Sequence, residues 1–106
     1  MSEQVIKSAK QSLENLLGLI QEKYSDIDVD LIDNVLNIET SNDKVLIVNI
    51  HEPTSQIWYS SPISGAVHFQ FEKSKNIWVS TRDELQEFPK MVLDEINLIE
   101  NEHQKN

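Results

Sequence analysis

Cysteine is absent from the 106-residue sequence, and its absence excludes several kinds of chemistry at once. The chain has no disulfides, no thiol nucleophile and no thiolate ligands for a metal. Because iron–sulfur clusters are ordinarily held by cysteine thiolates, this chain cannot carry one in the ordinary way. The sequence also contains no HExxH motif, no GxSxG motif and no glycine-rich phosphate loop, so nothing in it favours nucleophilic catalysis.

Glycine and proline are scarce, with two and three residues respectively, which argues against long loops and flexible linkers. No apolar run is long enough to span a bilayer. The first residues, MSEQVIKSAK, have neither the apolar core of a signal peptide nor an arginine-rich presequence. We therefore expect one domain over residues 1–106 with frayed last residues, either cytosolic or from an organelle as a mature or uncleaved chain.

Basic residues are few, and the 18 acids against nine lysines and arginines give a formal charge of −9. Nucleic acids and anionic membranes are poor partners for such a chain, because phosphate neutralisation needs clustered lysine and arginine. The charge favours solubility, metal cations or a basic partner surface.

Acidic residues are concentrated between Lys23 and Lys44, where no basic residue occurs. If Glu14 and Glu22 lie on the outer side of the first helix, they extend this segment into one acidic ridge. Closely spaced carboxylates repel one another and bind hard cations, iron included, through oxygen atoms. A solvated acidic face without a ligand is an equally good interpretation. The acids of the segment are Asp26, Asp28, Asp30, Asp33, Glu39 and Asp43.

Hydrophobic periodicity predicts a helix, six short strands and a second helix. Apolar residues recur at helical spacing over residues 3–24 and again from Leu85 to Ile99. Asp83 is a candidate N-cap for the second helix, but Pro89 favours a later start near Phe88. Short connections imply antiparallel neighbours, so we expect an α+β fold, a two-layer α-β sandwich in which both helices pack on a sheet of about six strands. The predicted strands are 26–32, 35–39, 44–50, 56–60, 66–72 and 77–80.

Trp58 is predicted to lie on the open face of the sheet. Side chains alternate along a strand, so if Ile57 and Tyr59 point into the core, Trp58 points outward. An exposed tryptophan among small polar residues is typical of a protein-interface anchor, although a covering loop is the alternative. His51, His68 and His103 have no metal-ligand spacing, but His68 faces outward on the same side as Trp58.

The stretches NIHEPTSQIWYSSPISG and HFQFEKSKNIWVS resemble the frataxin family, which includes bacterial CyaY proteins and mitochondrial frataxins. The resemblance covers nearly the whole chain and implies the same α-β sandwich. Departures are Thr54 and His51 in the loop and a sparser set of acids on the first helix. The residues that match the family pattern are Asn49, Pro53, Gln56, Ile57, Trp58, Ser60, Ser61, Pro62, Ser64, Gly65 and Trp78.

The resemblance implies an iron-binding protein that regulates iron–sulfur cluster assembly. Weakly bound Fe²⁺ or Fe³⁺ would be held by Glu14, Glu22, Asp26, Asp28 and Asp30. The partners implied are a cysteine desulfurase and an iron–sulfur scaffold protein. Contacts to them would come from Asn49, Gln56, Trp58 and His68.

Two other functions stay open at this stage. One is a ferroxidase that oligomerises to store iron, and the other is an acidic protein-binding adaptor whose metal affinity is incidental. By default we expect a monomer that regulates rather than catalyses. The SSPISG segment favours a mitochondrial-type compartment, with the bacterial cytoplasm as the alternative.

Overall fold

The computed structural model describes residues 2–104 of the chain, and side chains for residues 3–102. Two helices enclose a run of strands that are consecutive both in sequence and in the sheet. Neither helix within the described residues combines the length and the apolar character that crossing a bilayer requires. The helices are α1 (Ser2–Lys23) and α2 (Lys90–Gln104), and the strands are β1 (Asp28–Ile32), β2 (Val35–Glu39), β3 (Val45–His51), β4 (Gln56–Ser61), β5 (Gly65–Glu72), β6 (Ile77–Ser80) and β7 (Glu87–Phe88).

The sheet is an antiparallel meander of seven strands in the order β1 to β7. Its first hairpin is closed by Asp33 and Asn34, both with positive φ (51° and 67°), as a two-residue turn between twisted strands requires. Gly65, with φ 75°, begins β5 directly after the Pro/Gly turn. Turn chemistry and strand alternation therefore fix the register that aligns the two faces of the sheet.

The hydrophobic core lies between one face of the sheet and the two helices. Leu13, Leu16 and Ile20 of α1 are fully buried, as the helical spacing predicts. On the strands the inward positions alternate with outward ones, which confirms the two-layer α-β sandwich. The inward residues that complete the core include Leu36, Ile38, Leu46, Val48, Ile57, Tyr59, Val67, Phe69, Trp78, Val92 and Ile96.

The region before α2 differs from the prediction in three ways. A seventh strand is present, since Glu87 and Phe88 pair with β6. Asp83 does not cap α2; its carboxylate accepts a hydrogen bond from the Leu85 backbone N–H (3.0 Å) within a turn. Leu85 is 90% exposed and contributes nothing to the helical stripe. The helix begins at Lys90, two residues beyond the alternative start near Phe88 that Pro89 favoured, so the later start is confirmed.

The C-terminal prediction concerns residues partly outside the described range. The last six residues, NEHQKN, were expected to fray. Helix α2 continues to Gln104, and residues 105 and 106 lie outside the described residues.

Gly18 lies in the middle of α1 on its exposed side. A Cβ atom added there would meet no atom within 4 Å. Packing within the chain therefore does not require glycine at this position, and Gly18 makes α1 less stable than alanine would.

Candidate functional site

The side of the sheet turned away from the helices, here called the outer face, gathers all four predicted partner-binding residues. The register places Asn49, Trp58 and His68 directly opposite one another on β3, β4 and β5. Gln56 follows two residues from Trp58 and therefore points the same way. The structure thus brings all four predicted partner-binding residues together. Over β1 to β5, the outer face consists of Asp28, Asp30, Ile32, Val35, Asn37, Glu39, Val45, Ile47, Asn49, His51, Gln56, Trp58, Ser60, Ala66, His68 and Gln70.

Trp58 is the central ring of a three-ring stack with two histidines. The His51 ring lies 3.7 Å from the indole centroid with an interplanar angle of 10°. The His68 ring covers the opposite indole face at 4.2 Å and 6°. The expectation of a freely exposed indole is therefore only partly right: Trp58 faces outward, but it is half-buried between its own neighbours. A partner meets the edge of the stack before it meets a ring face.

Hydrogen bonds fix the stack on the side of the loop that joins β3 to β4. The indole N–H of Trp58 donates to Gln56 Oε1 at 2.8 Å. His51 Nδ1 lies 2.8 Å from Thr54 Oγ1, which is itself 3.3 Å from Gln56 Oε1. Gln56 thus orients Trp58, and Thr54 orients His51, so the stack is held in one arrangement before any partner arrives.

An aliphatic strip continues the outer face from the stack toward β1. Ile32, Val35, Val45 and Ile47 are between 38% and 63% exposed, although each is large and apolar. Val35 pairs with Asn49, and Ile32 pairs with Val35, so the strip adjoins the stack. Contiguous apolar surface of this kind marks interaction sites on monomeric proteins. The sequence signal was present in KVLIVNI, which is apolar at both alternating sets of positions.

The five predicted iron ligands are all exposed but do not share one surface. Asp28 and Asp30 point to the outer face, and Asp26 lies in the turn before β1. Glu14 lines a depression with Leu31 of β1, on the helix side of the sheet. Glu22 instead lies near Leu93 of α2. Residues 3–102, whose side chains are described, contain no group of three or more histidine and carboxylate side chains placed to hold a metal ion.

Among residues 3–102, no ion pair joins a ridge carboxylate to a lysine or arginine, whereas Lys90 and Asp94 of α2 form one at 2.6 Å. The register also places Asp28 directly opposite Glu39, a like-charge pair that destabilises the sheet edge. A cation or a basic partner group at this edge would relieve that repulsion. The assignment of Glu14, Glu22, Asp26, Asp28 and Asp30 as iron ligands stays a prediction.

A buried carboxylate that the sequence did not reveal lies beneath the stack. Glu95 of α2, 7% exposed, accepts hydrogen bonds from the hydroxyls of Tyr59 (2.7 Å) and Ser61 (2.5 Å). Ser64 adds a longer hydrogen bond of 3.3 Å to the same oxygen. Burial, and secondarily the Glu95 carboxylate, raises the pKa of the Tyr59 hydroxyl. Three of the six residues in the YSSPIS segment, Tyr59, Ser61 and Ser64, therefore make hydrogen bonds that hold the fold together rather than bind a partner.

The Ser61 hydroxyl has a second role in the turn after β4. Its oxygen accepts hydrogen bonds from the backbone N–H groups of Ile63 (2.9 Å) and Ser64 (3.3 Å). The Pro/Gly turn is thus attached to β4 at one end and to α2 through Glu95, which makes the strand that carries Trp58 rigid at its C-terminal end.

Comparison with known proteins shows similarity to one family throughout. A family model described as a frataxin-like domain matches residues 1–102. The iron–sulfur cluster assembly protein CyaY of Thioalkalivibrio sulfidiphilus is 40% identical over 76 residues, which are 70% of this chain and 70% of that protein. A frataxin from Psychromonas ingrahamii has a similar solved structure, with a TM-score of 0.75 at 24% identity, covering 86% of this chain and 83% of that one.

Mitochondrial relatives match over shorter shares of their length. The mitochondrial frataxin homolog of Schizosaccharomyces pombe is 33% identical over 73 residues, 69% of this chain and 45% of that protein. The mitochondrial frataxin of Dictyostelium discoideum is 39% identical over 51 residues, 48% of this chain and 26% of that protein. The relatives therefore include both bacterial and mitochondrial proteins.

Proposed function

The chain belongs to the frataxin-like family, and on that premise we propose that it acts in iron–sulfur cluster assembly by docking on the cysteine desulfurase and scaffold complex. The CyaY relative carries that assembly role in its name. The absence of cysteine fits a protein that regulates assembly without holding a cluster.

The outer face is the observation that carries this proposal. It combines an aromatic anchor, amide side chains at Asn49 and Gln56, and an aliphatic strip, on a sheet surface that no helix of the chain covers. Interfaces of this kind concentrate binding energy in a few central aromatic residues. The pre-ordered stack also lowers the side-chain entropy lost on binding.

Iron is proposed as a weakly held cargo rather than as a tightly bound cofactor. Carboxylates suit hard cations, and a site with few protein ligands retains water in the remaining positions. Asp28 and Asp30 supply such ligands on the outer face, with Glu39 opposite Asp28. Glu14, Glu22 and Asp26 would extend the attraction around the edge of the sheet by charge alone.

The docking proposal is tested by substituting Trp58 and, separately, an exposed apolar residue that lies outside the outer face. We expect Trp58→Ala to leave unfolding by urea nearly unchanged and to weaken binding to the desulfurase–scaffold complex by about 2 kcal/mol or more, which is roughly 30-fold. Leu98→Ala is the matched control, because Leu98 is 53% exposed on α2. Equal affinities for the two variants would refute the outer face as the docking site.

Iron binding is tested separately by anaerobic titration with Fe²⁺ followed by amide NMR signals. We expect the signals of Asp26, Asp28, Asp30 and Glu22 to change first. Reversing charge at Asp28 and Asp30 then separates the two roles of the ridge. If partner binding without iron falls as far as with iron, the ridge serves as an acidic docking surface and the metal affinity is incidental.

A further inference from the structure

A small basic cleft adjoins the three-ring stack on the side away from His51. It measures about 250 Å³ and is lined by Ala66, His68, Thr81 and Arg82. His68 belongs to both features, because one face of its ring covers Trp58 while the residue also lines the cleft. The cleft is therefore continuous with the surface proposed for docking.

Arg82 is the sole arginine of a chain whose formal charge is −9. Its guanidinium donates a hydrogen bond to the Ala66 backbone carbonyl, which holds the group at the cleft. No carboxylate among the side chains of residues 3–102 forms an ion pair with it. The neighbouring Asp83 directs its carboxylate to the Leu85 N–H (3.0 Å). The Arg82 guanidinium is thus held in place, and its remaining N–H groups and its positive charge are available to a ligand.

We propose that this cleft binds a carboxylate of the partner protein, carried by an aspartate, a glutamate or a C-terminus beside the segment that covers Trp58. This inference rests on the proposed docking function. The guanidinium fork matches the two oxygens of a carboxylate, and such pairs are stronger than neutral hydrogen bonds. The Thr81 hydroxyl and the imidazole N–H of His68 supply further donors at the same cleft.

The charge distribution explains why this contact would set the orientation of the partner. The chain carries a formal charge of −9 and attracts basic groups, whereas the Arg82 cleft offers an acidic group of the partner a favourable position on the outer face. The outer face would then attract a basic group of the partner at its acidic edge and an acidic group at the Arg82 cleft. Two such contacts fix the orientation of the bound partner more than they raise affinity.

The test compares affinities of the desulfurase–scaffold complex for four variants whose folding is verified by circular dichroism. Arg82→Gln removes the charge, and Arg82→Lys keeps the charge but removes the fork. Lys75→Gln is the matched control, because it removes one positive charge from the exposed β5–β6 turn. Trp58→Ala reports on the docking function itself. We expect Arg82→Gln to weaken binding about tenfold, Arg82→Lys by several-fold, and Lys75→Gln by less than about twofold.

The outcomes separate this inference from the docking proposal. If Trp58→Ala weakens binding but Arg82→Gln matches Lys75→Gln, the cleft contributes nothing and the inference is overturned alone. If Trp58→Ala has no effect, the docking proposal fails and the cleft inference fails with it. A further variant, Arg82→Glu, should lose more affinity than Arg82→Gln. Replacing the matching acidic residue of the partner with lysine should then restore binding to the Arg82→Glu variant. The residue whose replacement restores binding is the one that carries the carboxylate.

Discussion

Replacing Glu95 with alanine should destabilise the fold more than any other single change on α2 that avoids the hydrophobic core. Glu95 is buried and accepts hydrogen bonds from three hydroxyls at one oxygen. Its neighbour Asp94 lies on the exposed side of the same helix and pairs with Lys90 in water. The two positions therefore offer the same chemical group in opposite environments.

The magnitude follows from the state of each donor after the change. Tyr59 is 1% exposed, so its hydroxyl loses its partner without gaining water, at a cost of about 1–3 kcal/mol. The Ser61 hydroxyl loses a charge-assisted bond but still accepts from two N–H groups, and Ser64 is near enough to solvent to be rehydrated. Loss of the buried Cγ methylene group adds about 0.8 kcal/mol. We expect a total of about 2–4 kcal/mol, against a typical stability of about 5–15 kcal/mol.

Urea unfolding followed by far-UV circular dichroism measures this difference directly. Glu95→Ala should lower the midpoint without changing the slope, while Glu95→Gln, which keeps an acceptor for Tyr59, should lose about 1 kcal/mol. Asp94→Ala should behave almost like the wild-type protein. If Glu95→Ala and Asp94→Ala unfold at the same urea concentration, the buried hydroxyl network contributes no net stability and the reasoning is wrong.

Two further predictions concern stability. Gly18→Ala should raise the free energy of unfolding by about 1 kcal/mol, because the added methyl group meets no atom within 4 Å; a decrease in urea unfolding would contradict this. The pKa of Tyr59 is raised in the fold, so the stability that its neutral hydroxyl contributes is intact below about pH 10 and declines above it, by at most about 1.4 kcal/mol per pH unit. The free energy of unfolding of Tyr59→Phe should therefore fall less steeply between pH 10 and 11.5 than that of the wild-type protein. Parallel plots of this free energy against pH would exclude the effect.

Local periodicity was enough to predict most of the fold. The alternation in residues 26–32 and 66–72 placed β1 and β5 to within two residues, because a single buried face imposes a period of two on the sequence. Strand β7 was missed because two residues, Glu87 and Phe88, show no period at all. Leu85 was misassigned because its spacing from Phe88 matches a helix by coincidence.

The candidate site was less predictable, since it depends on register between strands. Trp58 could be placed on the outer face from its own strand, but the two imidazoles that cover it come from β3 and β5. The buried acids were hidden for the same reason. Glu95 meets hydroxyls 31 to 36 positions away, and Glu100 accepts from Ser41, 59 positions away. No local pattern distinguishes such a glutamate from an exposed one on a helix.

Strand β4 separates folding from binding by the alternation of its side chains. Tyr59 and Ser61 point inward and connect the strand to α2 through Glu95, whereas Gln56 and Trp58 point outward. Removing an inward hydroxyl should lower stability and leave the outer face intact in the molecules that remain folded. Removing the indole should lower the affinity for the desulfurase–scaffold complex and leave the hydrogen bonds of Glu95 unchanged. Measuring both quantities for Tyr59→Phe and Trp58→Ala, which lie next to each other in sequence, tests this division: if each variant changes both stability and affinity, the two faces of the strand are coupled and the outer face is part of the core.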